Sequence, residues 1–414
     1  MKPRWSLVSA FAMLVLTITA CEQAWKDPTP TADQANIQAA STLFAQSTRS
    51  PRSTETPTPA SDVEFDLSRS IALMETAVLA GDTNAYMAFL WKDDPVFLAD
   101  HTHWAQDWVD HPLSVFQIDL FNIRSDSPTE ATARMSTLWG QQDRSGDGSA
   151  GGATISANFY REGDTWQFAG ASWQIINLDG IQFYYFSNEI IDNEPQAKIV
   201  AEYLPSIYTG LTLEFGFVPE HIAHIKMYES PVTLQNWTRL SMPSITRWNE
   251  PGESIKITLS PSSTAPHEST VANEYTRFLL YEMAGGTHGN FNWWLEEGIA
   301  EYGALRFRTL SQRNRILKQV AALSLAPENA EERLIAWDRL ETEPDLLADQ
   351  VQVAVYQSYT VVLYITETYG KEARNAWIRA IATDQTIEEA TQAELETSLD
   401  DLLAGWEAWL PTQL

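Results

Sequence analysis

Four consecutive runs alternate apolar and polar residues with a period of two: Ser114 to Ile123, Glu130 to Trp139, Ala153 to Arg161 and Asp164 to Gly170. That period puts successive side chains on opposite faces of a strand, so each run has one face for a core and one for water. A Gly/Ser/Asp-rich stretch from Gln141 to Gly152 is expected to be a long hairpin loop between two of them. Upstream, Phe65 to Ala80 and Thr83 to Leu90 carry apolar residues at helical spacing. Beyond an apolar strand at Ile181 to Phe186, helices are expected over Ala197–Glu214, Leu234–Leu240, Leu310–Leu323, Ala330–Arg339, Asp349–Tyr369 and onward to Trp409. Strands are expected at Ile222–Tyr228 and Ser254–Leu259. The class is α+β, with a compact unit over 63–178, a second over 185–414 and a boundary near 179–195.

The 414 residues, 44% of them hydrophobic and with 16 Trp, suffice for two packed cores. Residues 1–20 join Lys2 and Arg4 to an apolar run from Leu7 to Ile18 that is too short to span a bilayer, which reads as a signal peptide. Ile18-Thr-Ala-Cys21 then resembles the bacterial lipobox, which implies an acylated Cys21 at the mature N-terminus. Its implied location is the outer face of the cytoplasmic membrane. Cys21 is the only cysteine, so no disulfide forms within one chain. Residues 21–62, rich in Thr, Ser, Pro and Gln, bury too little apolar surface to order themselves and read as a disordered tether with a reach of roughly 35 Å. A formal net charge of −28 argues against nucleic acid and anionic lipid headgroups as partners of the folded part.

Two helices joined by a Gly-rich turn follow, from Val271 to Met283 and from Trp293 to Tyr302. The first contains Asn273-Glu274-Tyr-Thr-Arg277 and the second Trp294-Leu-Glu-Glu297-Gly-Ile-Ala-Glu301-Tyr302. The second run resembles the peptidase MA-like family of gluzincin zinc metallopeptidases. The first falls on that family's His-Glu-x-x-His helix with both histidines replaced. The resemblance covers roughly residues 185 to 414. It implies Glu274 at the position of the general base, Glu297 at that of the third zinc ligand, and Asn273 and Arg277 at the two imidazole positions, with Glu301 and Tyr302 beside them. The preceding unit, helices then a curved antiparallel sheet, resembles the NTF2-like cone fold.

Zinc requires lone-pair donors. A guanidinium has none and an amide oxygen is a weak ligand, so no cofactor is expected and Arg277 is expected to face Glu274, Glu297 and Glu301 where the metal would be. The reading is a lipid-anchored protein that binds a peptide or protein without hydrolysing it. The alternative is a zinc metallopeptidase with non-standard ligands, to which His288 could contribute. His267-Glu268 has Val271 at the second ligand position and fails as a zincin helix, and no Gly-x-Ser-x-Gly elbow is present. Tyr356 and Tyr359 read as packing residues, His221 and His224 as structural. His101, His103 and His111, around Trp104 and Trp108, read as capping and surface groups.

Overall fold

The computed structural model describes residues 62–141, 150–187, 192–242, 245–258, 268–327, 333–340 and 348–414. The expected leader, Cys21, the tether and His267 lie outside them, as does most of the loop after Gln141. Gly151 and Gly152, expected in that loop, instead pair with Trp139 and Leu138.

The chain is α+β. Three helices come first: α1 (Asp62–Leu79), α2 (Thr83–Met87) and α3 (Pro95–Asp110). The side chain of Asp94 caps α3 by accepting from Phe97 N at 3.0 Å, and Pro95 opens the first turn, where its missing N–H costs nothing. Strands β1 (Leu113–Ser127), β2 (Glu130–Gln141), β3 (Ala150–Glu162) and β4 (Thr165–Ala171) then form an antiparallel sheet in sequence order. β2 alternates buried and partly exposed residues along its length, as its period-two pattern requires. The β1–β2 register shifts between Phe121 and Arg124, where Asn122 takes a φ of 56°, and such bulges bend and twist a strand.

A second sheet has the order β5 (Gln174–Leu178), β6 (Ile181–Tyr185), β7 (Ala223–Tyr228), β9 (Ile255–Thr258), β8 (Arg247–Trp248). Its three middle strands are parallel and its two outer ones antiparallel to their neighbours. Residues 174–178, expected in the first unit, pair along β6, so the first sheet ends at Ala171. The stretch from Ile181, expected to link two units, is an interior strand with Ile181 and Phe183 fully buried. Its neighbour β7 is reached through α4 (Glu194–Phe215), which ends at Gly216 with a left-handed φ of 59°. Helix α5 runs over Pro231–Asn236, earlier than the expected 234–240, because Ser230 caps it through Thr233 N.

Helices α6 (Glu268–Met283), α7 (Trp293–Leu305), α8 (Leu310–Ser324), α9 (Ala348–Tyr369), α10 (Lys371–Thr383), α11 (Ile387–Glu394) and α12 (Leu399–Trp409) complete the chain. Within the expected helix at Ala330–Arg339 the described residues form only a 3-10 turn, Trp337–Arg339. Gly298 lets α7 approach α9 closely: a Cβ there would lie 2.8 Å from the carbonyl carbon of Ser358, inside the van der Waals limit.

Two apolar cores result. One spans the second sheet and the later helices, and the other lies under the first sheet and takes Phe186, Tyr228, Leu234 and Leu240 from the later chain. Charge joins α3 to the second sheet. Asp100 on α3 accepts from Lys226 Nζ (2.7 Å), Lys256 Nζ (2.7 Å) and Ser254 N (3.0 Å), all buried. Glu253 pairs with Lys256, with Arg239 at 2.9 Å and with His103 at 2.6 Å.

Candidate functional site

Helices α6 and α7 pack directly on each other, and their facing sides carry the residues that the sequence singles out. Asn292 caps α7 by accepting from Leu295 N at 3.4 Å, which starts the helix so that Glu296 and Glu297 fall in its first turns. Arg277 reaches across from α6. Its Nη1 donates to Glu296 Oε1 at 2.7 Å, its Nη2 to Glu297 Oε1, and its Nε lies 3.8 Å from Glu274 Oε2. One guanidinium thus touches three carboxylates.

The surrounding groups divide what remains. Arg247 on β8 approaches Glu274 Oε1 at 3.0 Å, and Asn249 Nδ2 donates to the Glu274 carbonyl at 2.9 Å. Tyr281 OH donates to Glu296 Oε1 at 2.7 Å, and His288 bridges Glu296 Oε2 (3.2 Å) and Glu250 Oε2 (3.0 Å). The expected pairing of Arg277 with Glu274 and Glu297 therefore occurs. Glu301 departs from expectation: it accepts from Asn273 Nδ2 at 3.3 Å and pairs with Arg308 at 3.0 Å, because its place one turn further along α7 carries it past the guanidinium. Tyr302 belongs to a separate cluster, donating to Glu214 at 3.1 Å beneath the Arg374 guanidinium, which lies 4.6 Å from its ring centre. Tyr356 and Tyr359 are buried in the core.

Glu296, Tyr281, Glu250 and Arg247 were not anticipated as members of this cluster; His288, named in the alternative reading as a possible ligand, joins it by pairing with Glu296 and Glu250. Tyr281 carried a local signal, four residues after Arg277 on the same helix face. Glu250 and Arg247 carried none.

The electrostatics follow from the contacts. Burial pushes Glu296 up, but hydrogen bonds from His288, the Arg277 charge and Tyr281 outweigh it and hold the carboxyl at about 2. Burial raises Glu274 against the pull of Arg247 and Arg277, and it raises Glu301 against that of Arg308. Hydrogen bonds to Glu250 and Glu296 lift His288 to about 10, so it is an imidazolium at neutral pH. Arg277 is held charged by Glu297, Glu274 and Glu296 despite burial.

As placed, these side chains do not fit a zinc ion. Arg277 brings a positive charge and no lone pair to one ligand position, its fork already occupies Glu297, and Asn273 turns a donor toward Glu301. Among the described residues no three His, Cys, Asp or Glu side chains are grouped so as to hold a metal ion. Among them, too, no helix is long and apolar enough to cross a membrane.

The remaining histidines sit elsewhere. His221 pairs with Glu282, and His224 stacks on Tyr184 with its Nδ1 2.8 Å from the phenol oxygen. His111 caps the end of α3 against the Asp107 carbonyl. His101, expected at the surface, is buried, with its Nδ1 2.6 Å from Tyr86 OH, because the stripe of α3 that carries it faces the aromatic core.

No family model matches the chain, and no curated protein does. Solved structures align with about a quarter of it. One is an NTF-2 like protein of unknown function from Shewanella oneidensis MR-1, at 16% identity and a TM-score of 0.20, covering 25% of this chain and 93% of that one. A second is a putative calcium/calmodulin dependent protein kinase II association domain from Xanthomonas campestris, at 10% identity and a TM-score of 0.21, covering 28% and 88%. A third is the intermembrane space region of the chloroplast protein ARC6, at 16% identity and a TM-score of 0.20, covering 28% and 97%. Likeness at these scores establishes neither fold nor function.

Proposed function

We propose that this chain is an exported, lipid-anchored pseudopeptidase: an NTF2-like cone that ends at Ala171, then a gluzincin-like domain that starts with the second sheet at Gln174 and binds a peptide or protein segment without cleaving it. The observation that supports this reading is Arg277, whose guanidinium lies on Glu296 and Glu297 and beside Glu274. Hydrolysis at such a site needs a bound water made acidic by a metal and a free carboxylate to take its proton. Here a fixed cation without lone pairs meets those same carboxylates, and together with Arg247 and His288 it offsets their charge without activating water. The fold keeps its charge balance and gives up the chemistry. What remains is a helix pair beside β8, an outer strand of its sheet, and outer strands accept extended segments of other chains.

Metal analysis and a redesign test this together. Purified wild-type protein is expected to carry no stoichiometric zinc and to leave unfolded protein substrates intact. The double variant Asn273→His with Arg277→His is expected to gain a zinc-dependent rise in melting temperature of about 5–10 °C. Stoichiometric zinc in the wild type, lost in Glu297→Ala, would replace this reading with that of a zinc peptidase having unusual ligands.

The anchor is tested separately. Mass spectrometry of the mature N-terminus is expected to find Cys21 carrying lipid, since two acyl chains are needed for stable membrane attachment. An unmodified terminus beyond Cys21 would remove the anchor from the proposal.

A further inference from the structure

Each sheet has two outer strands, and an outer strand presents unpaired N–H and C=O groups unless something covers or shortens it. In the first sheet the chain before α3 covers β4: Phe168 N donates to Phe89 O at 2.8 Å, and Trp91 N donates to Phe168 O at 2.9 Å. β1 packs against α1, whose Glu75 accepts from Ile118 N, and it is bulged at Asn122. In the second sheet β8 is two residues long and lies beside the candidate site. β5 has no such protection. Its sequence, Gln174-Ile-Ile-Asn-Leu178, holds no charge and no proline, its pairing to β6 runs without a bulge, and Ile175 is 51% exposed.

The register fixes which groups β5 leaves free. Only Asp179 and Gly180 separate Leu178 from Ile181, so these two flank a tight turn and exchange both backbone hydrogen bonds. Bonding to β6 therefore alternates through Leu178, Ile176 and Gln174, and the N–H and C=O of Ile175 and Asn177 point the other way. Among the described residues these groups have no backbone partner.

We infer that β5 is the contact through which two copies of this chain pair, antiparallel about a two-fold axis, so that their second sheets join edge to edge. One register uses every outward group of β5 and no others: Ile175 bonds Asn177 of the second copy, and Asn177 bonds its Ile175. That makes four backbone hydrogen bonds and sets Ile176 against Ile176 on the axis. The strand's composition selects a copy over a foreign segment. The chain has a net charge of −28, so a foreign partner drawn to it would be basic, and β5 offers no carboxylate to hold one. The two acidic Asp179 turns fall at opposite ends of the contact, about 20 Å apart and beyond a screening length of about 8 Å. Two-fold pairing also closes on itself and leaves β5 no edge on which further copies could grow.

The test uses the full chain carrying Cys21→Ser, which removes the only cysteine. At about 100 µM, above a dissociation constant expected to be on the order of 10 µM for so small a contact, light scattering is expected to give twice the mass of one chain. Ile175→Pro removes an N–H that β6 does not use, and an outer strand tolerates proline there. This variant is expected to keep the parent's melting temperature in dilute solution and to associate about tenfold more weakly. Ile176→Cys is expected to form a disulfide-linked dimer on oxidation, since the axis sets its two Cα atoms about 4.5 Å apart; Ile175→Cys is not, since its own copy lies more than about 7 Å away. A chain that stays monomeric overturns the inference. So does a dimer that Ile175→Pro leaves intact, as association through any other surface would, and so does a dimer that Ile176→Cys fails to trap. The cross-link remains a readout even if Ile175→Pro fails to fold.

Discussion

Replacing Arg277 with Met is expected to destabilise the protein by about 3–5 kcal/mol at pH 7, the cost of leaving buried carboxylates without their counter-charge. Arg277, Glu296 and Glu297 are all largely buried, with side-chain exposures of 12%, 11% and 13%, so solvent screens little of this interaction. The deficit is also expected to depend on pH, with a sign that follows from Glu296. In the wild type its carboxyl is held at about 2, below the unfolded value of roughly 4.3. Its contribution is therefore present above pH 4.3 and is lost as pH falls toward 2. Without Arg277 the carboxyls of Glu274 and Glu296 lose a charge that lowers them and are protonated more readily, so the variant recovers stability relative to the wild type between pH 7 and pH 4. Urea melts of both proteins at pH 7 and pH 4.5 measure this. A deficit under about 1 kcal/mol, or one equal at both pH values, would mean that Arg277 is a peripheral ion pair of the exposed kind.

Asp100→Asn is expected to cost a similar 3–5 kcal/mol. The change is nearly isosteric, so the loss reports charge rather than packing: Lys226 and Lys256, both buried, lose their shared counter-ion. Burial pushes the Asp100 carboxyl up, but the two lysines outweigh it and hold it far below the usual carboxylate range. That contribution is present above the unfolded value of roughly 3.9 and is lost as pH falls below it, so the variant's deficit should fade in acid. A cycle with Lys226→Met checks the cause, because removing the stranded ammonium is expected to restore part of the loss. Additive losses in the double variant would show that Asp100 and Lys226 do not act as a pair.

The sequence by itself determined the elements whose cause is local. The period-two runs became β1 to β4, the 3.6-residue period became α1, α4 and α6 to α9, and the class is α+β, because backbone geometry alone sets those periods. The approach of Arg277 to Glu274 was legible for the same reason, three residues apart on one helix. Tertiary structure decided the rest. Glu296 and Glu297 are adjacent in sequence, and Glu301 lies one turn on; only the crossing of α6 over α7 gives the first two to Arg277 and the third to Asn273 and Arg308. Likewise Tyr302 joins Arg374, β5 pairs into the second sheet, and His101 turns inward. The Asp100 cluster links residues 126 and 156 positions apart. An ion pair buried in the interior is selected by which charges packing brings within a few ångströms and strips of water, and sequence spacing beyond a helical turn carries no record of that approach.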